Sequence, residues 1–256
     1  AEWLATIAGK GQFLVSDESR TLLEDHFLFD SVGEHARVSG GPVSTVHRLT
    51  GASVHHGRMN DRADLTALVG RQTELALLEE RWHQALDGRG QVAVIVGESG
   101  LGKSRLAREL SYRAARQAPE GVVEFACFSD HQNSVLYPVI AHLRQELSLQ
   151  VGQEDPAGTV AALERLLANA GLSLADTMPL ILDLLDVSDD ERYPPLDLAA
   201  PLQKSRTLEA LLALLLGGER EEPRLLLIDD FQWADATFRE LMELVVDYVR
   251  SVPALV

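Results

Sequence analysis

Hydrophobic positions in the C-terminal three quarters of the chain switch repeatedly between helical spacing and continuous apolar runs. Helical spacing predicts an amphipathic helix over 72–87, with its buried stripe at Leu75, Leu78, Trp82 and Leu86. Residues 91–96 are a β-branched run with glycines nearby, which predicts a strand buried on both faces by helices. Helix 103–117, strand 122–127 and helix 135–147 follow in alternation. This order predicts an α/β domain with a parallel sheet.

A second apolar run, 225–228, leads into an acidic pair and a helix over 236–250, whose predicted buried face is Phe238, Leu241, Leu244, Val245 and Tyr248. Asp229 lies 126 residues beyond Lys103, whereas two β-α-β crossovers need only about 60. Leucines at helical spacing within 157–217 therefore predict a helical insertion at about 150–220.

The N-terminal fifth of the chain has a different pattern. A strand over 12–15, a helix over 17–25 and a strand over Val43–Leu49 predict a small α+β segment. Residues 51–67 are polar and aperiodic, so we predict three parts: residues 1–50, a linker at 51–67 and an α/β domain at 68–256. His55 and His56 lack partners at a metal-ligand spacing, which favours solvated linker histidines over a metal site.

Composition narrows the possible functions. The chain is 46% hydrophobic, enough for a core, and its net charge of −16 argues against nucleic-acid and anionic-membrane partners. A single cysteine, Cys127, excludes an internal disulfide framework and is expected to be inert core in a cytoplasmic protein. No stretch reaches the roughly 18–20 apolar residues of a membrane span. We interpret both termini as cuts in a longer chain.

A glycine-rich segment follows the strand at 91–96, with the sequence Gly97-Glu98-Ser99-Gly100-Leu101-Gly102-Lys103-Ser104. It meets every fixed position of the Walker A pattern G-x-x-x-x-G-K-[ST], between a predicted strand and a predicted helix. A loop that wraps phosphates brings its N–H groups close in conformations that a Cβ would block. A plain glycine-rich turn does not predict serine after the lysine, so we predict a phosphate-binding loop.

The residue types in this loop indicate separate roles. Unpaired N–H groups at the start of a helix attract an anion. Lys103 would place its charge on the β- and γ-phosphates and assist catalysis, and Ser104 would give its hydroxyl to Mg²⁺. We predict that all eight loop residues and the adjacent Arg105 bind nucleotide.

The run ending in Asp229-Asp230 is typical of a Walker B strand, which carries carboxylates to the ligand-binding edge of the sheet. Asp229 is the predicted metal ligand, and Asp230 is the predicted group that orients or deprotonates an attacking water. Two acids at a strand end are commonly just solvated charges, and the phosphate loop is what favours the functional interpretation.

Together these motifs resemble the AAA-related, STAND-type signal-transduction P-loop ATPases that are fused to class III adenylate or guanylate cyclase domains. Residues 68–74 are similar to the N-terminal motif of such ATPases, so the resemblance implies that Val69 and Arg71 lie near the nucleoside. Residues 127–138 and 229–235 resemble the stretches after their second strand and at Walker B. The polar residues Asp130, His131 and Asn133 have no derived role beyond a position from which they could face the γ-phosphate. Asp235 is the expected N-cap of the next helix.

Residues 11–49 are similar to the C-terminal tail of a class III cyclase domain. In that comparison Trp3 stands where the family has its catalytic arginine, so no cyclase activity is expected from this chain. The resemblance implies ATP and Mg²⁺ as ligands, adjoining cyclase and C-terminal helical domains, and nucleotide-dependent self-association. The strand after Walker B, with its sensor residue, and an arginine that reads the γ-phosphate are expected outside this chain, so hydrolysis should be slow.

Three functions remain at this point. The favoured one is an ATP·Mg²⁺-binding regulatory switch with slow hydrolysis at most. A P-loop kinase or other phosphotransferase is the second, although residues 195–217 lack the arginine-rich lid it needs. A scaffold that binds nucleotide only for stability is the third.

Overall fold

The computed structural model describes residues 4, 7–8, 13–23, 27–36, 43–52, 68–147, 156–187, 191–217 and 223–256. The chain divides into two compact units, one of residues 1–58 with 148–154 and the other of residues 59–147 with 155–256. The histidine pair at 55–56 and most of the predicted linker lie outside the described residues.

The first unit contains a three-stranded antiparallel sheet. Its elements are β1 (Phe13–Ser16), α1 (Asp17–Leu23), β2 (Phe27–Ala36) and β3 (Val43–Ala52), and the strand order is β1-β3-β2. Strand β2 differs from the expectation, because Asp30, Gly33 and Glu34 interrupt its apolar alternation and the pattern predicts no strand there. Its backbone hydrogen bonds are supplied by pairing with β3. Strand β3 runs three residues past the predicted end at Leu49, into the predicted linker.

The second unit is an α/β layer structure, as expected. Three parallel strands, β4 (Val122–Ala126), β5 (Arg224–Asp229) and β6 (Ala254–Leu255), lie side by side in the order β4-β5-β6. Strand β6 is the strand that follows Asp229, so the expectation that this strand lies outside the chain is wrong for residues 254–255, which pair with β5. Strands β4 and β5 are mostly apolar apart from Glu124, Arg224 and Asp229, and Phe125, Leu225 and Leu226 are almost completely buried. The consecutive buried leucines of β5 are typical of a parallel strand covered by helices on both faces.

The helices of this unit fall into a sheet-packing group and an insertion. The first group is α2 (Gln72–Leu86), α3 (Lys103–Ala115), α4 (Tyr137–Glu146) and, after the insertion, α8 (Ala236–Val249). The insertion contributes α5 (Pro156–Asn169), α6 (Leu174–Leu185) and α7 (Ala200–Leu216), which agrees with the expected helical segment. No helix in the described part of the chain is long and apolar enough to cross a membrane.

Helices α2 and α3 share one core with the sheet. Buried side chains from both helices pack together with Ala118 and two strand residues. The set is Leu75, Leu78, Trp82, Ala85, Leu106, Leu110, Ala114, Ala118, Leu225 and Leu255. Trp82 donates its indole N–H to Gln117 Oε1 at 2.7 Å, so its polar atom is satisfied at the core edge. Ala85 takes the buried place predicted for Leu86, which is 37% exposed.

Helix α8 also buries a slightly different face from the predicted one. Its buried side chains are Phe238, Leu241, Met242, Val245 and Val249. Leu244 and Tyr248 are 37% and 41% exposed, contrary to the prediction. The buried set follows i, i+3, i+4, i+7 and i+11 spacing, which places positions 244 and 248 on the flank of that stripe.

The prediction of a doubly buried strand at 91–96 is wrong for most of its length. Gln91 and Ala93 donate backbone N–H groups to Ala254 and Val256 at 2.8 Å, and Gln91 forms an isolated parallel bridge to Leu255. Val94 and Val96 are 80% and 87% exposed. Pairing and helix layers together bury a strand, and the described residues place no second strand beside 94–96.

Candidate functional site

The phosphate-binding loop adopts the conformation for which its glycines are required. Gly100 and Gly102 have φ angles of 79° and 81°, in the left-handed region that residues with a Cβ rarely occupy. Gly102 is the N-cap of α3, so the helix begins at Lys103. The unpaired N–H groups of the first helical turn therefore face the loop, where an anion is favoured.

The Lys103 side chain closes the loop from inside. Its ammonium donates hydrogen bonds to the carbonyl oxygens of Gly97 and Glu98, each at 2.9 Å. The ammonium therefore joins the start of α3 to the first two residues of the loop. A phosphate offers stronger, charged acceptors than a carbonyl oxygen, so Lys103 can exchange these two partners for phosphate oxygens.

The serine after the lysine contacts the acidic end of β5. Ser104 Oγ donates to Asp229 Oδ1 at 3.0 Å, although the residues are 125 positions apart. Strand β5 lies beside β4 in the sheet and ends at Asp229, next to the first turn of α3. A hydroxyl and a carboxylate oxygen are hard donors that fit Mg²⁺, with phosphate oxygens and water as the remaining ligands.

Asp230 occupies a distinct position one residue further on. It has φ 55° and an exposed side chain, and its backbone N–H donates to Asp229 Oδ1 at 3.1 Å. Its own carboxylate accepts from Gln232 Nε2 at 2.8 Å. The left-handed turn therefore separates two adjacent carboxylates, one half-buried against Ser104 and one directed to solvent. We name these two residues the acidic turn.

The segment before α2 contacts the loop through Arg71. Its guanidinium donates to the Leu101 carbonyl at 3.0 Å and to Glu74 Oε1 at 2.6 Å. The hydrogen bond from Arg71 lowers the pKa of Glu74, which keeps that carboxylate charged opposite the arginine. Val69 is 82% exposed, and Arg71 makes the contact from this segment to the loop.

The other predicted loop residues differ in exposure. Glu98, Ser99 and Leu101 are exposed, and Arg105 is half-buried in the first turn of α3. Among the described residues no cluster of three or more histidine, cysteine, aspartate or glutamate side chains surrounds a metal position. A metal in this site would therefore depend on Ser104, Asp229 and the nucleotide's own phosphates.

The polar stretch after β4 is held by aromatic contacts. His131 stacks on Tyr137 with ring centroids 3.6 Å apart and an interplanar angle of 6°. Burial, with Asp130 as a second cause, raises the pKa of Tyr137. Asn133 is exposed. These contacts join residues six positions apart, and no local pattern in the sequence predicts them.

Asp235 is the N-cap of α8, as predicted, but it also makes a contact that the sequence did not indicate. Its Oδ1 accepts from the backbone N–H groups of Thr237 and Phe238, and its Oδ2 accepts from that of Leu136 at 3.1 Å. A sequence pattern reports local caps, whereas a partner 99 positions away is visible only in the fold.

These features together define a P-loop nucleotide-binding domain. They are a parallel sheet, a glycine-rich loop that leads into a helix N-terminus, a lysine, and a serine in contact with a strand-end carboxylate. Residues 67–256 match the family model described as AAA ATPase domain, and the chain belongs to that family.

One curated relative is similar over almost the whole chain. It is an uncharacterized protein of Rhizobium meliloti (strain 1021), 28% identical over 253 residues that make up 98% of this chain and 24% of the relative. The chain thus spans about a quarter of that protein's length. No solved structure matches the chain.

Proposed function

We propose that the chain is an ATP·Mg²⁺-binding module that works as a nucleotide-dependent regulatory switch with slow hydrolysis. The observation that carries the proposal is the Ser104–Asp229 hydrogen bond at 3.0 Å, because it joins the phosphate loop to the strand-end carboxylate. Two motifs that are far apart in sequence would thereby form one site, which would offer Mg²⁺ a hydroxyl and a carboxylate oxygen.

Phosphate binding would use the loop as it stands. The N–H groups at the start of α3 and the Lys103 ammonium, which contacts the Gly97 carbonyl of the same loop, would hold the β- and γ-phosphates together. Arg71 would lie near the nucleoside and would also hold the loop through its hydrogen bond to the Leu101 carbonyl. Val69, at the exposed start of this segment, is the proposed contact on the nucleoside side.

Mg²⁺ would be held between Ser104 and Asp229, where it would neutralise phosphate charge. Asp230 is then the proposed group that orients or deprotonates water, since its carboxylate accepts from Gln232 Nε2, whereas that of Asp229 accepts from Ser104. Asp230 is exposed, so bulk water competes with any arrangement of the attacking water. This exposure supports slow rather than rapid hydrolysis.

The switch would depend on the partners that Lys103 exchanges. Without nucleotide the lysine binds the Gly97 and Glu98 carbonyls, and with nucleotide it would bind phosphate, so the two states differ in loop contacts. Only such differential contacts let a ligand shift a conformational equilibrium. Inverting a 1:99 population would require about 5.5 kcal/mol of differential affinity.

The resemblance of residues 11–49 to a class III cyclase tail supports a place for the module in a cyclase-fused signalling protein of the STAND type. In that arrangement residues 1–50 belong to the cyclase domain, 51–67 link it to the ATPase domain at 68–256, and the output is regulated across that link. Self-association driven by nucleotide is part of the same proposal, as is a cytoplasmic location.

The test is Mg²⁺-dependent binding of a fluorescent ATP analogue to the wild-type chain and to Lys103→Ala, with GTP as competitor. We expect the variant to lose about tenfold or more in affinity, because it loses a charged hydrogen-bond donor to phosphate. Lys204→Ala is the matched control, since Lys204 pairs with Glu240 on the surface and should leave binding unchanged. Equal binding by wild type and Lys103→Ala contradicts the proposal.

A second arm separates the switch from the alternatives. Labelled γ-phosphate released to water supports an ATPase, and its transfer to a small acceptor supports a phosphotransferase instead. A rise in melting temperature with no change in amide chemical shifts outside the loop indicates a scaffold that binds nucleotide for stability.

A further inference from the structure

Asp235 is a buried carboxylate with contacts to two separate parts of the chain. It is 7% exposed, and its Oδ1 caps α8 by accepting from Thr237 and Phe238 at 2.9 Å and 3.1 Å. Its Oδ2 accepts from the Leu136 N–H at 3.1 Å. Helix capping needs only one side-chain oxygen, so the second oxygen of Asp235 is available for the contact to Leu136, which an ordinary N-cap does not make.

Leu136 is the last residue of the 127–136 loop, which connects β4 to α4. It has φ 55°, it is 2% exposed, and its carbonyl accepts from Val139 and Ile140 at the start of α4, each at 3.0 Å. A left-handed conformation costs a leucine energy, so it persists where surrounding contacts hold it. The bond to Asp235 is one of those contacts.

The start of the 127–136 loop and the segment before Asp235 both contact the acidic turn. At one end the Cys127 N–H donates to the Asp229 carbonyl at 3.1 Å, so the 127–136 loop leaves the sheet beside Asp229. At the other end the Trp233 N–H donates to the Asp230 carbonyl at 2.9 Å, within a single turn that leads to Asp235. The 127–136 loop is therefore joined to the acidic turn at Cys127, and at Leu136 it is joined to Asp235, which ends the short segment that follows the acidic turn.

The electrostatic environment of Cys127 agrees with the positions of these carboxylates. Burial raises the pKa of the Cys127 thiol to about 12, and the next causes are the carboxylates of Asp235, Asp230 and Asp229. The three carboxylates thus lie around the start of the 127–136 loop. A carboxylate at position 235 is also what the geometry requires, because an amide or a hydroxyl offers only one acceptor oxygen.

We propose that Asp235 is a positioning residue that couples the 127–136 loop to the acidic turn, so that both loops order and move as one unit. The consequence for nucleotide rests on the function proposed above: a change at Asp229 and Asp230 on binding ATP·Mg²⁺ reaches the 127–136 loop through Asp235. The coupling itself is a property of the nucleotide-free chain.

Asp235→Asn isolates the coupling, because asparagine caps helices as well as aspartate does. Its single oxygen can keep Thr237 and Phe238, and its NH₂ group then faces the Leu136 N–H, donor against donor. Asp235→Ser is a second variant with the same purpose, because serine caps a helix through its one oxygen and has no second oxygen for Leu136. Asp247→Asn is the control, since it removes the same charge from an exposed position on the same helix.

The measurement is amide hydrogen exchange by NMR on the nucleotide-free full chain. In Asp235→Asn we expect exchange at Leu136 and across the 127–136 loop to accelerate about tenfold or more, as loss of a hydrogen bond to a charged group implies. Thr237 and Phe238 should stay as protected as in wild type and in Asp247→Asn. Acceleration confined to Leu136, or none, overturns the proposal.

Adding ATP·Mg²⁺ tests the consequence separately. In wild type we expect amide shifts in both the acidic turn and the 127–136 loop. In Asp235→Asn we expect them only in the acidic turn and at Cys127, whose N–H still donates to the Asp229 carbonyl. Shifts in the variant that extend through residues 129–136 overturn the proposal. If wild type shows no shifts at all, the proposed function fails, and the nucleotide-free exchange result still decides whether Asp235 couples the loops.

Discussion

Asp229→Asn separates metal binding from the architecture of the site. Both contacts to this side chain, from Ser104 Oγ at 3.0 Å and from the Asp230 N–H at 3.1 Å, use the Oδ1 atom. An asparagine oxygen accepts the same two donors, so the nucleotide-free site keeps its hydrogen bonds and the substitution removes only the charge. A change in Mg²⁺ dependence can then be attributed to the lost carboxylate charge.

The expected change in Mg²⁺ dependence follows from the interaction between the metal ion and the Asp229 charge. An interaction with a charged group contributes about 1.5–3 kcal/mol, which is about 10–150-fold in an equilibrium constant. We therefore expect Mg²⁺ to tighten ATP binding to the wild-type chain by about tenfold or more, and binding to Asp229→Asn by less than about twofold. Affinity for ATP in EDTA should be nearly equal in the two proteins, because the loop and Lys103 are unchanged.

The assay is titration of a fluorescent ATP analogue in EDTA and in saturating Mg²⁺, and the ratio of the two dissociation constants is the result. Asp230→Asn is the matched control, because it removes the adjacent carboxylate from an exposed position. It should keep the Mg²⁺ enhancement and lose γ-phosphate release. Full Mg²⁺ enhancement in Asp229→Asn would refute the assignment of that residue, and loss of enhancement in Asp230→Asn alone would reverse the two roles.

Two further predictions concern the core and the thiol. Trp82→Phe should lower the free energy of unfolding by about 1–2 kcal/mol in urea denaturation, since it removes buried volume and the hydrogen bond to Gln117. The control is Trp233→Phe, at a side chain 40% exposed, which should change the free energy of unfolding by less than about 0.5 kcal/mol. Equal effects of the two substitutions would contradict the argument from burial. The raised pKa of Cys127, about 12 against an ordinary value of 9.0, means that the folded chain holds this proton where the unfolded chain releases it. Its contribution to stability should therefore fall as pH rises from about 9 to about 12, relative to Cys127→Ala, and a pH-independent difference between the two would show that the thiol is not protected.

Local patterns predicted the features that depend on neighbouring residues. The order of glycines, lysine and serine at 97–104 predicted a loop whose two left-handed glycines precede a helix beginning at Lys103. Helical spacing predicted the bounds of α2 and α8 within a residue or two. The preference of aspartate for the N-cap position predicted Asp235 at the start of α8. Each of these depends on backbone conformation and on side chains only a few positions apart.

Tertiary structure decided what depends on partners far away in sequence. The exposure of Val94 and Val96 follows from which strands lie beside them, and the apolar run alone could not indicate that. Strand β2 exists because β3 pairs with it. The meeting of Ser104 with Asp229 and of Leu136 with Asp235 requires the sheet to bring segments about a hundred residues apart to one edge. Sequence determined which side chains were available for the site, and packing determined which of them touch, because hydrogen bonds act over about 3 Å whatever the sequence separation.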